Sequence, residues 1–244
     1  RFARHFRLRF PEYARKSSKL CTVSEFSRGD ISRTYHIDEK SISIIPNAPD
    51  ASFQPLGPEQ REASRVKFAS GNKYHVFVGS IHPRKNIYGM LNAHKVYRSL
   101  GGNSDLVIVG TEMWKHDAFN TENVHWVGRL NDDELVSAVA GADALLYLPF
   151  FEGFGVPIVE AMACGVPVIA SNTTSIPEVC GGAEAALVSP TDAKGAAEAL
   201  LRLDEDEIWC EKKSKQGIKR AAEYSWKRSA QLFSNALDEM LSEA

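Results

Sequence analysis

The chain has 244 residues with 43% hydrophobic and 25% charged content, as in an ordinary globular protein of one large or two modest domains. Its net charge is −2, no stretch approaches the ~18 uninterrupted apolar residues of a membrane-spanning helix, and no signal peptide is visible. The four cysteines form no C-x-x-C pair and the histidines show no metal-binding spacing. We therefore expect reduced thiols in a cytoplasmic protein, and no protein-built metal site.

The charge is unevenly distributed along the chain. Nine Lys or Arg against three acidic residues make residues 1–33 +6, and the remainder is −8. A basic leading segment suits anionic lipid or nucleic acid, although a solvated helix face explains it more simply. We expect no nucleic acid partner. A peripheral contact of residues 1–33 with the inner face of the cell membrane is the functional alternative.

The first 50 residues have the pattern of an incomplete domain. A leading helix of about 20 residues is followed by the strand KLCTVSE, the helix FSRGDISRTYHI and the strand SISIIPNAPD. Two strands and two helices cannot bury a core of their own, so residues 1–50 are predicted to be the remnant of a preceding domain. The polar stretch APDASFQPLGPEQ that follows is interpreted as a linker.

From residue 73 onward, apolar strands alternate with helices. Strands are predicted at 73–80, 105–110, 123–128, 143–150, 166–171 and 185–190. Helices are predicted at 86–101, 131–142, about 157–164, and from 192 to the end. Continuous apolar strands of this kind are typical of a parallel sheet covered on both faces, so the sequence predicts a doubly wound, Rossmann-like α/β domain.

In such a sheet, ligands bind outside the carboxyl ends of the strands. The loops that follow those ends are 79–86, 110–117, 128–132, 151–157 and 171–178. Arg84 and Lys85 stand in the first loop, before a helix, where two cations and backbone N–H groups suit an anion. Solvated loop charges are the alternative, and the residues alone leave both open.

Glu152 and Glu160 flank a Gly-Phe-Gly-Val-Pro turn. Pro157 suits the first turn of a helix and Gly165 the position after its end, so Glu152 lies in the loop and Glu160 one turn inside the helix. Both can face one pocket, where the 153–155 backbone can approach a ligand closely. Capping of the helix by Glu160 is the structural alternative. A buried carboxylate needs hydrogen-bond partners, which we expect Glu160 to have.

The remaining motifs favour packing over chemistry. Trp126 is more typical of a core strand than of a stacking platform, whereas the backbone of 127–130 is placed to read a base edge. G-x-G-x-x-G and the P-loop motif are absent, and no Ser/His/Asp or Cys/His spacing is found. Three histidines are interpreted as surface or packing residues rather than bases: His82, His116 and His125.

Together these motifs resemble the retaining glycosyltransferases of family 4. FEGFGVPIVEAMACGVPVIAS is similar to the E-x7-E signature, VGSIHPRKN to the phosphate-clamp loop, NVHWVGRLNDDEL to the segment before the fourth helix, and TVSEFSRGDI…ISIIPNAPD to the end of the first domain. The motifs occur in the family's order over residues 18–235. The resemblance implies a GT-B fold, with 51–225 as its C-terminal nucleotide-sugar-binding domain and 226–244 as a helix that crosses back to the first domain.

The resemblance also implies which residues bind the donor. Those that hold the diphosphate and position the sugar for catalysis would be Arg84, Lys85 and Glu152. Further donor contacts would come from Gly79 and Ser80, from Val127, Gly128, Arg129 and Leu130 at the base, from Gly153, Phe154, Gly155 and Val156 at the sugar, and from Glu160 at the ribose. A hexose such as mannose would be transferred with retention, without a metal or other cofactor, because basic side chains and a helix N-terminus supply positive charge.

The implied partners are a GDP- or UDP-sugar, with GDP-mannose favoured, and a glycan or lipid-linked acceptor in surface polysaccharide synthesis. Two departures from the family pattern matter. Ser80 stands where the family often has arginine, so Arg84 would have to replace it, and most of the first domain is absent. We therefore expect the chain alone to bind donor weakly and to transfer sugar poorly. An epimerase or phosphorylase on the same fold, or a non-catalytic Rossmann-like domain, are the alternatives.

Overall fold

The computed structural model describes residues 2–111 and 122–242 and has an α/β architecture. Its helices are α1 (Phe2–Lys16), α2 (Glu25–Tyr35), α3 (Pro58–Ala69), α4 (Ile87–Ser99), α5 (Asp132–Ala140), α6 (Val156–Ala163), α7 (Ile176–Cys180), α8 (Ala193–Glu205), α9 (Glu207–Ala221) and α10 (Trp226–Ser242). Its strands are β1 (Leu20–Thr22), β2 (Ile42–Ile44), β3 (Tyr74–Val78), β4 (Asp105–Val109), β5 (Val124–Gly128), β6 (Ala144–Tyr147), β7 (Val168–Ser171) and β8 (Ala186–Val188). Within these described ranges, no helix is both long and apolar enough to cross a membrane.

A six-stranded sheet organises the chain after α3. Its strand order is β5-β4-β3-β6-β7-β8, and every neighbouring pair is parallel. The chain therefore advances in one direction from β3 to β5 and in the other from β6 to β8. The predicted doubly wound parallel sheet is confirmed. The reversal between β3 and β6 is a topological switch point, where sheets of this kind leave a crevice at their carboxyl ends.

The central strands are covered on both faces. Successive strand residues point to opposite faces, yet all four residues from Leu106 to Val109 are at most 3% exposed. Helix α4 packs on α8, α6 packs on α9, and α3 packs on α5. Burial on both faces explains why these strands show continuous apolar runs rather than alternation.

Two helices were not predicted, and the strands are shorter than predicted. Helix α3 begins inside the expected linker, because Pro58 suits a first helical position and the Gln60 side chain accepts the Gly57 N–H at 3.1 Å. Only its last turn brings large apolar surface into the core, through Phe68. The first residues of α7 were predicted to belong to the loop 171–178. Helix α6 begins one residue earlier than expected. Several strands end earlier than predicted. Apolar residues such as Leu148 are buried in the loops that follow, so the apolar pattern in the sequence continues beyond the end of the strand.

The first 50 residues form a small parallel unit that contacts the C-terminal helix. β1 pairs with β2 in parallel, and α2 connects them. Ser229 of α10 donates its hydroxyl to the Pro46 carbonyl at 2.6 Å, and Lys19 lies 2.8 Å from Glu239. The loop predicted at 110–117 follows β4, and its residues 112–117, including His116, lie outside the described residues.

Candidate active site

The crevice between β3 and β6 holds the residues that the sequence singled out for catalysis. Lys85 follows β3, Glu152 follows β6, and the Lys85 ammonium lies 2.5 Å from Glu152 Oε1. Arg84 Nη1 lies 3.1 Å from the same oxygen. Two side chains with positive charge therefore share one carboxylate at the switch point, which leaves the cluster with a surplus of positive charge.

The short turn Pro83–Lys85 sets the position of Lys85. Asn86 ends this turn with a left-handed backbone (φ 55°) and caps α4 by accepting the Gly89 N–H. Its side-chain amide also donates to the Leu148 carbonyl at 2.8 Å, beyond the end of β6. The turn is therefore fixed to the neighbouring strand, and Lys85 is directed into the crevice.

Lys85 is buried and shares its partners with a tyrosine. It is 8% exposed, and its ammonium donates to the Tyr147 hydroxyl at 2.7 Å as well as to Glu152. The Tyr147 hydroxyl donates in turn to Glu152 Oε1 at 2.9 Å. Burial and the Glu152 charge raise the pKa of Tyr147 well above its ordinary value, so the phenol stays neutral. Sequence reasoning missed Tyr147, whose signal was a phenol at the end of an otherwise aliphatic strand.

Arg84 is the exposed cation at the mouth of the crevice. Its side chain is 42% exposed, and Nη1 also donates to the Phe151 carbonyl at 2.7 Å. A guanidinium has five N–H donors, so these contacts leave Arg84 able to bind a further anion. The two cations therefore differ in burial, with Lys85 inside the crevice and Arg84 at its entrance.

The loop between β7 and α7 supports the backbone of Glu152. The Glu152 N–H donates to Thr174 Oγ1 at 3.2 Å, and the Ser175 hydroxyl donates to the Glu152 carbonyl at 3.0 Å. Thr174 has a left-handed backbone (φ 57°), which is rare for a β-branched residue. This loop was predicted to line the pocket, but neither residue was identified from the sequence.

The glycine-rich turn after Glu152 offers backbone rather than side chains. Phe154 is 4% exposed, and its ring packs edge-on against Tyr224 with centroids 5.4 Å apart. Gly155 has a left-handed backbone (φ 95°) and stands immediately before α6, where it offers no side-chain cap. In the described parts of the chain, the N–H groups of 153–155 have no hydrogen-bond partner. Val156 is the first residue of α6, so these donors lie at a helix N-terminus.

Glu160 is half-buried one turn inside α6. No residue that the structure describes donates a hydrogen bond to its carboxylate, so the described part of the chain does not supply the hydrogen-bond partners that we expect for Glu160. The capping alternative is also wrong, because the helix is capped by Gly155 without any side-chain bond. Burial, together with the Asp50 charge, raises the pKa of Glu160 to about 7.

The floor of the crevice beside Lys85 is made of glycine backbone. A Cβ on Gly110 would lie 1.8 Å from the Gly79 carbonyl oxygen, and a Cβ on Gly79 would lie 3.7 Å from the Lys85 ammonium. The Gly110 N–H also donates to the Gly128 carbonyl at 2.8 Å. Half-buried Ser80 follows this floor. A side chain on Gly110 would collide with the Gly79 backbone, so only glycine at this position lets β3 and β4 end this close together.

The predicted base-binding segment lies farther along the same edge. β5 is two strands from β3, a separation of ~10 Å across the sheet. Val127 and Leu130 pack against the core, and Arg129 is exposed. Trp126 also packs against the core, which confirms its structural interpretation. The structure therefore places 127–130 on the same edge as Lys85 but not beside it.

Known proteins are similar to this chain in sequence and in fold. The sequence profile of the family described as "Glycosyl transferases group 1" matches residues 59–223. The chain is 33% identical to the O-antigen chain mannosyltransferase B of Escherichia coli, over 86% of this chain and 58% of that protein. It is 30% identical to the MMP alpha-(1->4)-mannosyltransferase of Mycolicibacterium hassiacum, over 89% of this chain and 53% of that protein. The structure of Anabaena HepE in complex with UDP-glucose superposes with a TM-score of 0.78 over 94% of this chain and 65% of that one, at 16% identity.

The profile match and the two curated relatives agree with the family resemblance found in the motifs. The chain spans little more than half the length of either mannosyltransferase. The match to HepE, at low identity, concerns the fold alone. The match to the family profile covers more than half of the chain and includes all the crevice residues described above. The chain belongs to the glycosyl transferases group 1 family.

Proposed function

We propose that this chain is the donor-binding part of a retaining glycosyltransferase. The enzyme would move a hexose, mannose above others, from a nucleoside-diphosphate sugar to a glycan or lipid-linked acceptor in surface polysaccharide synthesis. The observation that carries the proposal is the meeting of Arg84, Lys85 and Glu152 at the switch point of the sheet. The activities for which the two mannosyltransferase relatives are named support mannose as the sugar.

The two cations are suited to a diphosphate that leaves with increased negative charge. An ammonium has three donors, and Lys85 uses two of them on Tyr147 and Glu152, which leaves one for a phosphate oxygen. Arg84 adds an exposed, permanently charged fork at the entrance. Donors fixed before the reaction stabilise charge that develops in the transition state, and this is the role we assign to both residues.

The sugar and the ribose would lie on either side of the glycine-rich turn. All the contacts of the Glu152 carboxylate described above use Oε1, so Oε2 is available for a sugar hydroxyl. The N–H groups of 153–155 add further donors at the same turn. Glu160 would accept hydrogen bonds from the ribose, and the backbone of 127–130 would contact the base. The ~10 Å between β3 and β5 is a distance that a nucleotide can bridge.

We assign residues 1–50 to the remnant of the acceptor-side domain, 51–225 to the donor-binding domain, and 226–244 to a helix that returns to the first domain. The contacts Ser229–Pro46 and Lys19–Glu239 support this assignment, since they join α10 to the first 50 residues. The proposed location is the cytoplasmic face of the membrane. Helix α1 exposes Leu8 and Tyr13 on a basic segment, which is the surface that anionic lipid favours.

Calorimetric titration with GDP, UDP, GDP-mannose and UDP-glucose tests the proposal. The chain should bind at least one nucleoside diphosphate, and Lys85→Ala should weaken binding by roughly 30-fold, because a hydrogen bond to a charged group contributes about 2 kcal/mol. EDTA should leave the affinity unchanged, since the basic side chains supply the positive charge. Lys67→Ala is the matched control, because this exposed lysine pairs with Glu134 away from the crevice.

Two results would count against the proposal. A folded chain that binds none of these ligands would overturn it. Equal affinity losses for Lys85→Ala and Lys67→Ala would show that binding occurs elsewhere.

A further inference from the structure

The first turn of α2 lies against the glycine-rich turn that follows Glu152. Ser24 caps α2 and is 4% exposed. Its hydroxyl lies 2.6 Å from the Gly153 carbonyl oxygen, to which it donates, and the Ser27 hydroxyl donates to the same oxygen at 3.2 Å. A carbonyl oxygen has two lone pairs, so it can accept from both hydroxyls, whose oxygens lie 2.9 Å apart. Residues from before the linker therefore hold a peptide of the candidate sugar-binding turn.

Further contacts fix α2 on both sides of this peptide. The Phe26 ring packs edge-on against Phe151, with centroids 5.6 Å apart. The Phe26 N–H donates to Glu178 Oε1 of α7 at 3.4 Å. The first turn of α2 thus contacts the residue before Glu152, the residue after it, and the helix whose preceding loop supports the Glu152 backbone.

The orientation of the Gly153 carbonyl also determines the direction of the Phe154 N–H, because both groups belong to the same peptide. The described residues include no cis peptide bond, and in a trans peptide the C=O of one residue and the N–H of the next point in opposite directions. Since Ser24 and Ser27 hold the Gly153 carbonyl towards α2, the Phe154 N–H points away from α2. That N–H has no partner in the described residues, and the Phe154 ring is buried against Tyr224.

We infer that Ser24 and Ser27 are positioning residues that direct the Phe154 N–H towards a hydroxyl of the bound sugar. The inference rests on the proposed function for the identity of that ligand. Glycine has little intrinsic backbone preference, so the peptide after Gly153 would rotate freely without the two hydroxyls. The serines would then set affinity for the sugar. Arg84 and Lys85, which form no hydrogen bond with α2 in the described residues, would still bind the diphosphate.

The test compares the Kd for GDP-mannose with the Kd for GDP, and UDP-glucose with UDP, by calorimetry. Ser27→Ala removes one donor and leaves the cap of α2 intact, because Ser24 still accepts the backbone N–H of residue 27. It should raise the ratio of the Kd for GDP-mannose to the Kd for GDP by roughly 5-fold, as expected for one hydrogen bond. The Kd for GDP itself should stay nearly unchanged. The double variant S24A/S27A should raise the ratio further, and S24T/S27T, which keeps both hydroxyls, should restore it.

Asp206→Ala is the matched control. It removes the side-chain cap of α9, which accepts the Trp209 N–H, so its stability loss resembles that of Ser24→Ala, but Asp206 lies between α8 and α9 and does not contact the turn. Its Kd ratio should equal that of the unmodified chain. If S24A/S27A weakens GDP and GDP-mannose equally, the inference is overturned while the proposed function stands.

Absence of any nucleotide binding by a folded chain would overturn the proposed function instead. In that case, NMR order parameters of the Gly153 and Phe154 amides still test whether the two serines hold this peptide in one orientation. They should fall from about 0.85 towards 0.6 in S24A/S27A, and unchanged values would overturn it.

Discussion

Three side chains in the crevice, Lys85, Tyr147 and Glu152, form hydrogen bonds with one another. The Tyr147 hydroxyl contacts both the Lys85 ammonium and Glu152 Oε1, so it orients both charges. A tyrosine at this position has a role only because β3 and β6 are neighbours. Its contribution is therefore measurable by removing one oxygen atom.

Tyr147→Phe should weaken nucleoside-diphosphate binding by about 5-fold, because the lysine loses one of the two contacts that orient it. Tyr74→Phe is the control, since Tyr74 is equally buried and its hydroxyl donates to the Ala138 carbonyl far from the crevice. Both changes should lower the melting temperature to a similar extent. Calorimetry and thermal unfolding measure the two effects. The same change in affinity for both variants would contradict a role for Tyr147 in the site.

Glu160 should destabilise the unliganded fold at alkaline pH. Its folded pKa of about 7 is raised above the ordinary glutamate value, so its contribution to stability is present below pH ~4.5 and lost as the pH rises through 7. Glu160→Gln should therefore raise the free energy of unfolding by about 1–3 kcal/mol at pH 8 and change it little at pH 4.5. Urea unfolding at the two pH values measures this difference.

Glu211→Gln is the control for this experiment. Glu211 is exposed, and its hydrogen bond with Lys215 lowers its pKa, so this substitution should give no gain at pH 8. A gain for Glu160→Gln that is the same at both pH values would mean that burial of the charge is not its cause.

Among the elements, the loop between β7 and α7 combines support for Glu152 with backbone strain. Thr174 accepts the Glu152 N–H while it holds a left-handed conformation that costs a β-branched residue about 1–2 kcal/mol. Thr174→Gly should relieve this strain and remove the hydrogen bond. We expect an unchanged or higher melting temperature together with weaker nucleotide-sugar binding.

Ser70→Gly separates these two effects. Ser70 ends α3 in the same left-handed region (φ 52°) and is exposed, and no hydrogen bond links it to the crevice in the described residues. It should raise the melting temperature and leave binding unchanged. If Thr174→Gly behaves in the same way, the Thr174 side chain does not support the site.

The elements that the sequence predicted well are those with a continuous apolar pattern. The central strands β3, β4, β6 and β7 were located because burial on both faces requires such runs. Helix α3 was missed because only its last turn, at Phe68, adds large apolar surface to the core. The turn at Thr174 was missed because glycine or asparagine, the usual residues for a left-handed backbone, is not present there.

The candidate site shows the same division. Arg84, Lys85 and Glu152 were expected at one edge of the sheet, because loops after the carboxyl ends of parallel strands share that edge, and the family resemblance implied their roles at the donor. Tyr147 and the serines of α2 could not, since their roles depend on distances across the fold. Contacts such as that of Ser24 with Gly153 leave no local pattern in the sequence.

For the molecule as a whole, two buried histidines should make the fold sensitive to acid. His75 and His94 pack against Tyr97, and burial lowers their pKa values to about 3 and about 4. The unfolded chain binds more protons than the folded chain between pH ~4 and 6.5, so stability falls as the pH drops through that window. The loss should approach about 2–3 kcal/mol per pH unit for the two sites together.

The double variant H75L/H94L should show a much shallower dependence between pH 7 and pH 5, measured by urea unfolding. His36→Gln is the control, because His36 is exposed at the end of α2 and should leave the dependence as it is. An unchanged slope in the double variant would assign the acid sensitivity to other groups.

The pairing of β3 with β6 also determines when the site can form during folding. It joins His75 to Ala144, which are 69 positions apart in the sequence. Closing a loop of this length is entropically unfavourable, and such long-range contacts slow folding. Until β6 docks, Lys85 has neither Glu152 nor Tyr147 beside it. The anion site is therefore a late product of folding, and a nascent chain that has not reached residue 152 contains the lysine without its counter-charge.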